Sequence, residues 1–323
     1  MGSTKGTEGL EFELSGDSYR VIGCSTTSGG VIIPACCNDL SVTEIGKEAF
    51  ICNMNLRTVT FAEGSRLQSI GESAFALSSL INMEIPDSVV SIGKSAFVGC
   101  ECLIAITIPA SVTDIGKGAF NGCAKLACIT VDKNNPCYMS EGGILYDKAK
   151  TTLIAYPTAN GNVTIPDTLT SIGFYAFAGC ADLTGITIPS SVTSIGKAVF
   201  EGCTGLTAIT IPANVTSIGN YAFNYCTGLA AVTFEQDSRL ERIGNYAFKD
   251  CASIAEIIIP PGVKSVGLGA FDGWGSGGTI IVPFAGEAEA DAAWGGGEDG
   301  WRYNCNAGII PDSLTFGTKP PRS

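Results

Sequence analysis

Histidine is absent from all 323 residues. That absence removes every mechanism built on imidazole: Ser-His-Asp hydrolysis, Cys-His proteolysis and His-ligated zinc. Charge is scarce at 15% of residues, and it is lopsided, with 19 Lys plus Arg against 31 Asp plus Glu and a net charge of −12. The clustered Lys and Arg that nucleic acid or an anionic membrane surface would demand are missing. No apolar run approaches the ~20 residues that cross a bilayer. No CxxC pair occurs, and Cys100-Glu101-Cys102 is too tight for an ordinary zinc knuckle. "GGGEDG" (295–300) lacks the Lys and the flanking strand and helix of a phosphate loop. No two carboxylates recur side by side as an acid/base pair. The opening "MGSTKGTEGL" has no apolar h-region, and Gly6 stands where a myristoylation site needs Ser or Thr. The expectation is therefore no catalytic residue, no metal and no cofactor.

What is present is repetition. Aligned on IGxxAF, the Ile (or Val) falls at Ile45, Ile70, Ile92, Ile115, Ile172, Ile195, Ile218, Ile243 and Val266, at intervals of 25, 22, 23, 57, 23, 23, 25 and 23. Both 25-residue intervals replace IPxxV with a longer loop, "FAEGSRL" (61–67) or "FEQDSRL" (234–240). The interval of 57 is 23 plus an insertion within 132–162, where "ILYD" and "LIAYP" flank a polar turn and read as a hairpin. The consensus is LxxIxIPxxVxxIGxxAFxGCxx. "LxxIxIP" alternates with the period of a strand and Pro ends it. "VxxIG" is a second short extended segment, whose Gly is read as freeing the backbone to bend. A unit of 23 residues cannot bury its own apolar face, so the units must stack as a solenoid.

Stacking predicts ladders. Phe50, Phe75, Phe97, Phe120, Phe177, Phe200, Phe223, Phe248 and Phe271 form one buried column. Beside it run Cys100, Cys123, Cys180, Cys203, Cys226 and Cys251, with Asn53 in the first unit, each able to hydrogen-bond turn backbone. Six of fourteen cysteines in one repeat column fit reduced core thiols rather than a disulfide scaffold; Cys24, Cys36, Cys37, Cys52, Cys102, Cys128, Cys137 and Cys305 show no pairing pattern. Asn162-Val163-Thr164 and Asn214-Val215-Thr216 are sequons, the second a by-product of the repeat phrase.

"LTAITIPANVTSIGNYAFNYC" (206–226) resembles the BspA-like leucine-rich repeat of the Treponema type, and the resemblance extends over 31–283. "YMSEGGILYDKAKTTLIAYP" (138–157) is similar to an interruption known in such proteins. The resemblance implies a leucine-rich-repeat solenoid and a surface-exposed binder or adhesin acting on host or matrix proteins or on other cells. The fold expected is β-dominated, with short turns or 3-10 segments, an N-terminal β-hairpin cap and a short C-terminal helical cap. "LEFELSGDSYRVIGC" (10–24) supplies the hairpin, "TIIVP" (279–283) a last strand and "AGEAEADAAW" (285–294) the helix, followed by a flexible break and a tail "GTKPPRS". The divisions are an N-terminal cap over 1–30, a solenoid over 31–283 with its hairpin insertion at about 132–162, and a C-terminal cap and tail over 284–323.

Outward strand positions include Thr58/Thr60, Asn82/Glu84, Ala105/Thr107, Cys128/Thr130, Gly185/Thr187, Ala208/Thr210, Ala231/Thr233 and Glu256/Ile258. This face is small, neutral and Thr-rich. About eleven coils at ~4.8 Å would span roughly 50 Å, room for a standard protein interface. On the IGxxAF edge, Lys47, Lys94 and Lys117 give way to Phe174, Tyr175, Tyr221, Tyr225 and Tyr246. The candidate ligand-binding surface is therefore Thr107, Thr130, Thr187, Thr210 and Thr233 with Tyr175, Tyr221 and Tyr246. The expected function is non-enzymatic binding of a protein, cell-surface or matrix ligand, with no nucleic acid and no membrane insertion. The family resemblance implies the cell surface or secretion; the missing signal and anchor and the reduced thiols favour an intracellular scaffold, or a recognition domain of a larger protein. A Thr array also resembles ice-binding solenoids in outline, but Glu84, Glu256 and Ile258 interrupt it.

Overall fold

A computed structural model describes residues 6–25, 29–158, 161–274, 278–284, 287–294 and 314–316. The chain divides into two compact units, Met1–Thr158 and Ala159–Ser323, with the division inside the 132–162 insertion. Each unit is a stack of coils, and each coil gives one strand to a long-strand ladder and one to a short-strand ladder.

In the first unit the long strands are Gly30–Ile33, Thr58–Phe61, Asn82–Met83, Ala105–Ile108 and Cys128–Val131. They pair in parallel and in the register of the repeat: Val31 opposite Val59, Val59 opposite Met83, and Ile106 opposite Ile129. The short strands place Ile45, Ile70, Ile92 and Ile115 opposite one another in turn. An antiparallel hairpin, Leu10–Ser15 with Ser18–Cys24, joins the first short strand, as the alternation around Ser15-Gly16-Asp17 predicts. The second unit repeats the plan. Gly161–Thr164, Leu183–Thr187, Ala208–Ile211 and Ala231–Phe234 form one parallel ladder. Glu256–Ile258, Thr279–Val282 and Leu314–Phe316 form another, and Ile195, Ile218, Ile243 and Val266 line up in the short strands.

The core of each unit is its phenylalanine column. Ring centroids lie 5.3 Å (Phe50–Phe75), 5.4 Å (Phe75–Phe97) and 5.6 Å (Phe97–Phe120) apart in the first unit. In the second they are 5.3, 5.2, 5.0 and 5.7 Å apart from Phe177 to Phe271. All nine rings are buried. Parallel coils impose this offset stack, because identical rotamers repeat at the coil spacing.

The AFxGC segments are hydrogen-bonded turns, and no 3-10 helix occurs among the described residues. Every coil puts two residues in the left-handed region, two before and two after its Phe. The first set is Glu48, Ser73, Ser95, Gly118, Tyr175, Ala198, Tyr221, Tyr246 and Gly269; the second is Cys52, Leu77, Gly99, Gly122, Gly179, Gly202, Tyr225, Asp250 and Gly273. Most of the first set are not glycine, so the stack imposes a conformation that the residues themselves disfavour.

The glycine of IGxxAF corrects the sequence reading. Gly71, Gly93, Gly116 and Gly219 do not adopt positive φ. A Cβ there would stand 2.7, 2.6, 2.2 and 2.6 Å from backbone of the preceding coil. The position demands glycine because two backbones touch.

The insertion contains the expected hairpin, Ile144–Asp147 with Thr152–Ala155, and a third antiparallel strand before it, Tyr138–Glu141. It is tied to the coil before it by Asn135, which is fully buried. Its Nδ2 donates to the carbonyls of Pro109 and Val112 at 2.8 and 2.9 Å, while its Oδ1 accepts from the Cys137 and Tyr138 amides. The Tyr138 hydroxyl accepts from the Ile115 amide at 2.9 Å and so serves the last short strand of the first unit.

The helix expected over 285–294 is present at Glu287–Trp294. The Trp294 indole N–H donates to the Val263 carbonyl at 2.7 Å and its ring meets Phe284 edge-on. The strand Leu314–Phe316 was not legible in the sequence. The expected break at 295–300, the tail at 317–323 and Cys305 lie outside the described residues.

Candidate functional site

The candidate surfaces of the coil are the long-strand face and the IGxxAF edge, and the thiol column runs beside the Phe column. The thiols belong to the core. Cys100, Cys123, Cys203, Cys226 and Cys251 are reduced and buried. Each Sγ donates to the carbonyl of the Phe one coil back, at 3.0–3.1 Å. Sequence reasoning missed two members of this column. Ser78 holds the place in the second unit of the repeat, with its Oγ 3.5 Å from the Cys100 sulfur. Trp274 holds it in the ninth, and its indole N–H donates to the Phe248 carbonyl at 2.8 Å. At six places in the column the side chain donates to that carbonyl, a thiol at five and the Trp274 indole at the sixth, whereas the Asn53 Oδ1 accepts from the Asn55 and Leu56 amides. Burial pushes the Cys100 thiol up to about 11 and that of Cys251 up to about 12, and it raises Cys123, Cys203 and Cys226 as well. These are neutral S–H groups, the reverse of the activated thiolate that catalysis uses.

On the long-strand face, Thr107, Thr130, Thr187, Thr210 and Thr233 are all exposed. The Thr210 and Thr233 hydroxyls bond each other at 2.9 Å across adjacent coils. Shallow grooves lie on this face in both units; a small one in the second, of about 340 Å³, runs beside Asn162, Gly185, Thr187 and Thr210, and two larger ones lie one in each unit. The first, of about 980 Å³, runs beside Thr60, Asn82, Glu84, Ala105 and Thr107. The second, of about 700 Å³, runs beside Ala231, Thr233, Glu256, Ile258 and Pro261. Ile258 is 57% exposed, unusual for so large an aliphatic side chain on a strand. The face is thus not uniformly neutral: residues that break the Thr array line both grooves.

Of the edge aromatics, Tyr175, Tyr221 and Tyr246 are half-buried and engaged with their own neighbours, while Phe174 and Tyr225 are exposed. Tyr221 and Tyr246 stack with centroids 5.2 Å apart. Lys197 Nζ stands 5.8 Å from the rings of both Tyr175 and Tyr221, and Lys249 Nζ lies 5.5 Å from Tyr246 while pairing with Asp272. The Tyr246 ring also covers Gly269. This edge closes on itself as a Tyr–Lys ladder, the packing that repeated coils favour. In the first unit the same edge is ionic, with Glu72 between Lys47 and Lys94.

Among the described residues no group of three or more Cys, Asp or Glu side chains is placed to hold a metal ion. No helix is long and apolar enough to cross a membrane among those residues. Parallel 23-residue coils, a strand face and a turn edge, with the Phe column between, define a leucine-rich-repeat β-solenoid. The model of the BspA type leucine rich repeat region matches residues 33–138 and 156–276, and the chain belongs to that family.

Solved structures extend the likeness. A leucine-rich repeat protein from Eubacterium ventriosum is 26% identical, with a TM-score of 0.61 over 83% of this chain and 88% of that one. The pneumococcal vaccine antigen PcpA is 18% identical, with a TM-score of 0.64 over 96% of this chain and 92% of that one, a likeness of fold alone. A Treponema pallidum leucine-rich repeat protein is 21% identical, at a TM-score of 0.40 over 76% and 88% of the two chains. No curated protein sequence matches the chain.

Proposed function

We propose that this protein is a non-enzymatic binding protein whose long-strand face recognises a protein or a cell-surface or matrix ligand. The observation that carries the reading is the contrast between the two exposed surfaces. The turn edge pairs Glu72 with two lysines in the first unit and stacks Tyr221 on Tyr246 in the second, whereas the strand face presents open grooves lined by exposed side chains. Thr107 and Thr130 belong to this face in the first unit, and Thr187, Thr210 and Thr233 in the second. Tyr175, Tyr221 and Tyr246 contribute at the turn edge through the rims of their rings. Placement at the cell surface or in the secreted fraction follows from the family resemblance and is part of the same proposal. So is the division into a cap over 1–30, a solenoid over 31–283 and a cap and tail over 284–323. The Trp294–Val263 bond supports the capping role of the helix.

The test is retention of surface-extract or matrix proteins by the immobilised chain and by a Thr210→Arg, Thr233→Arg variant. Loss of retention in a variant that melts at the parent temperature is expected. Equal retention by both would overturn the assignment of the strand face. The reduced column thiols favour a second reading, an intracellular scaffold or recognition domain. Mass spectrometry of the native protein separates the two, since disulfides or a glycan on Asn162 would place it outside the cell.

A further inference from the structure

This inference rests on the strand-face reading and names the chemistry of what that face takes. The two 25-residue coils carry the longer loops 61–67 and 234–240. Each loop forms a wall of the groove in its own unit, through Ala62, Gly64 and Ser65 in the first and Glu235, Asp237 and Ser238 in the second. The charged groups along the first groove are Glu84, Asp87 and Asp132; those along the second are Glu235, Asp237 and Glu256. Neither lining contains a Lys or Arg among the described residues. Asp132 accepts from the Asn134 amide and Glu235 from the Ala213 amide, but none of the six carboxylates forms an ion pair among the described residues.

The turn edge behaves in the opposite way. Glu72 sits within reach of Lys47 and Lys94 and Asp272 pairs with Lys249 at 3.6 Å, while beside the short strands Glu241 pairs with Lys264 at 2.7 Å. Several carboxylates outside the grooves thus have a cation beside them, and none of the six that line the two grooves does. The same linings include apolar side chains: Ala105 in the first groove, and Ala231, exposed Ile258 and Pro261 in the second. A small inorganic cation would have no use for that floor. A peptide bearing both cationic and apolar side chains uses the floor and the walls together.

We propose that each expanded coil builds a groove for an extended, cationic segment of a protein partner, its Lys or Arg side chains on that groove's three carboxylates and its apolar side chains on the floor. The probe is a fluorescein-labelled eight-residue peptide alternating Arg and Val, with an alternating Glu–Val peptide as its counterpart. Anisotropy is measured on the full chain at two salt concentrations. The Arg–Val peptide is expected to bind, more weakly at high salt, and the Glu–Val peptide is not. A Glu84→Lys, Glu256→Lys double variant should weaken binding by about ten-fold or more, the size expected when charge pairs at a docking site are reversed. A Glu101→Lys, Asp182→Lys variant has the same net charge, with both changes at exposed sites outside the grooves, and should change it less than about two-fold. Equal losses in the two variants, or equal binding of the two peptides, or none of either, would overturn the proposal. If the peptide result fails while Thr210→Arg, Thr233→Arg still abolishes retention of extract proteins, the cationic chemistry is wrong and the strand-face reading stands.

Discussion

At the scale of single residues, the repeat phrase separates inward from outward positions sharply. Phe200 is fully buried between Phe177 and Phe223, whereas Thr187 is exposed. Phe200→Ala should cost about 3–5 kcal/mol of stability, as large core truncations do. Thr187→Ala should stay within about 0.5 kcal/mol. Equal shifts in melting temperature would contradict the two assignments. Cys203 tests the thiol column. Replacing it with Ala removes the thiol bond to the Phe177 carbonyl, which keeps its bond from the Cys180 amide, and should cost about 0.5–1.5 kcal/mol, with Ser recovering part of that, as Ser78 already occupies this column.

The raised thiols also fix a pH dependence. The folded state holds these protons more tightly than the unfolded chain, whose thiols titrate near 9.0. The stabilisation is therefore complete below about pH 9 and is lost as pH climbs through the folded values, about 11 for Cys100 and about 12 for Cys251. Melting curves from pH 8 to 12 should show it. The gap between the parent and a Cys100→Ser variant should narrow as pH rises, because serine does not titrate there; a constant gap would rule the coupling out.

At the scale of the coil, the glycine of IGxxAF carries the tightest constraint. Gly219 has preceding backbone 2.6 Å from where a Cβ would stand, so Gly219→Ala must push two coils apart. Its cost should exceed about 1 kcal/mol even though alanine relieves the entropy that glycine loses on folding. Ala198, in the left-handed region two residues before Phe200, predicts the opposite sign. Ala198→Gly should be neutral or stabilise by up to about 1 kcal/mol, despite the removal of a methyl group. Thermal melts of the two variants, read side by side, check both signs. The insertion shows how a coil stack is interrupted: Asn135 and Tyr138 bond the backbone that a following coil would otherwise meet. The hairpin there was readable from its alternation. The Asn135 bonds were not, since they run to residues 23 and 26 positions earlier.

At the scale of the whole molecule, contacts are between neighbouring coils, so energetics should be local. Phe75→Ala and Phe200→Ala lie in different units and share no stacking partner, and their costs should add. Phe200→Ala and Phe223→Ala share a stack at 5.2 Å and should deviate from the sum by about 0.5 kcal/mol or more. Denaturant unfolding of the two double variants distinguishes local coupling from a globally shared core. The candidate site was only half legible at this scale. Reading the strand face as neutral treated Glu84, Glu256 and Ile258 as interruptions of a threonine array. In the folded chain those same residues line the grooves, and the long loops that looked like irregularities of period form their walls.

The sequence by itself determined the period of the coils, the register of their strands across the nine repeats and which side chains face inward. It could do so because each copy reports on all the others, and a strand with period two admits one burial pattern. It also placed the thiols as donors to turn backbone. Only the tertiary structure decided which carbonyl each thiol meets, why glycine follows the isoleucine, and which carboxylates are left without a cation. Those facts are set by atoms about 23 residues away that come within a few ångströms once the coils stack, and no pattern confined to one copy contains them.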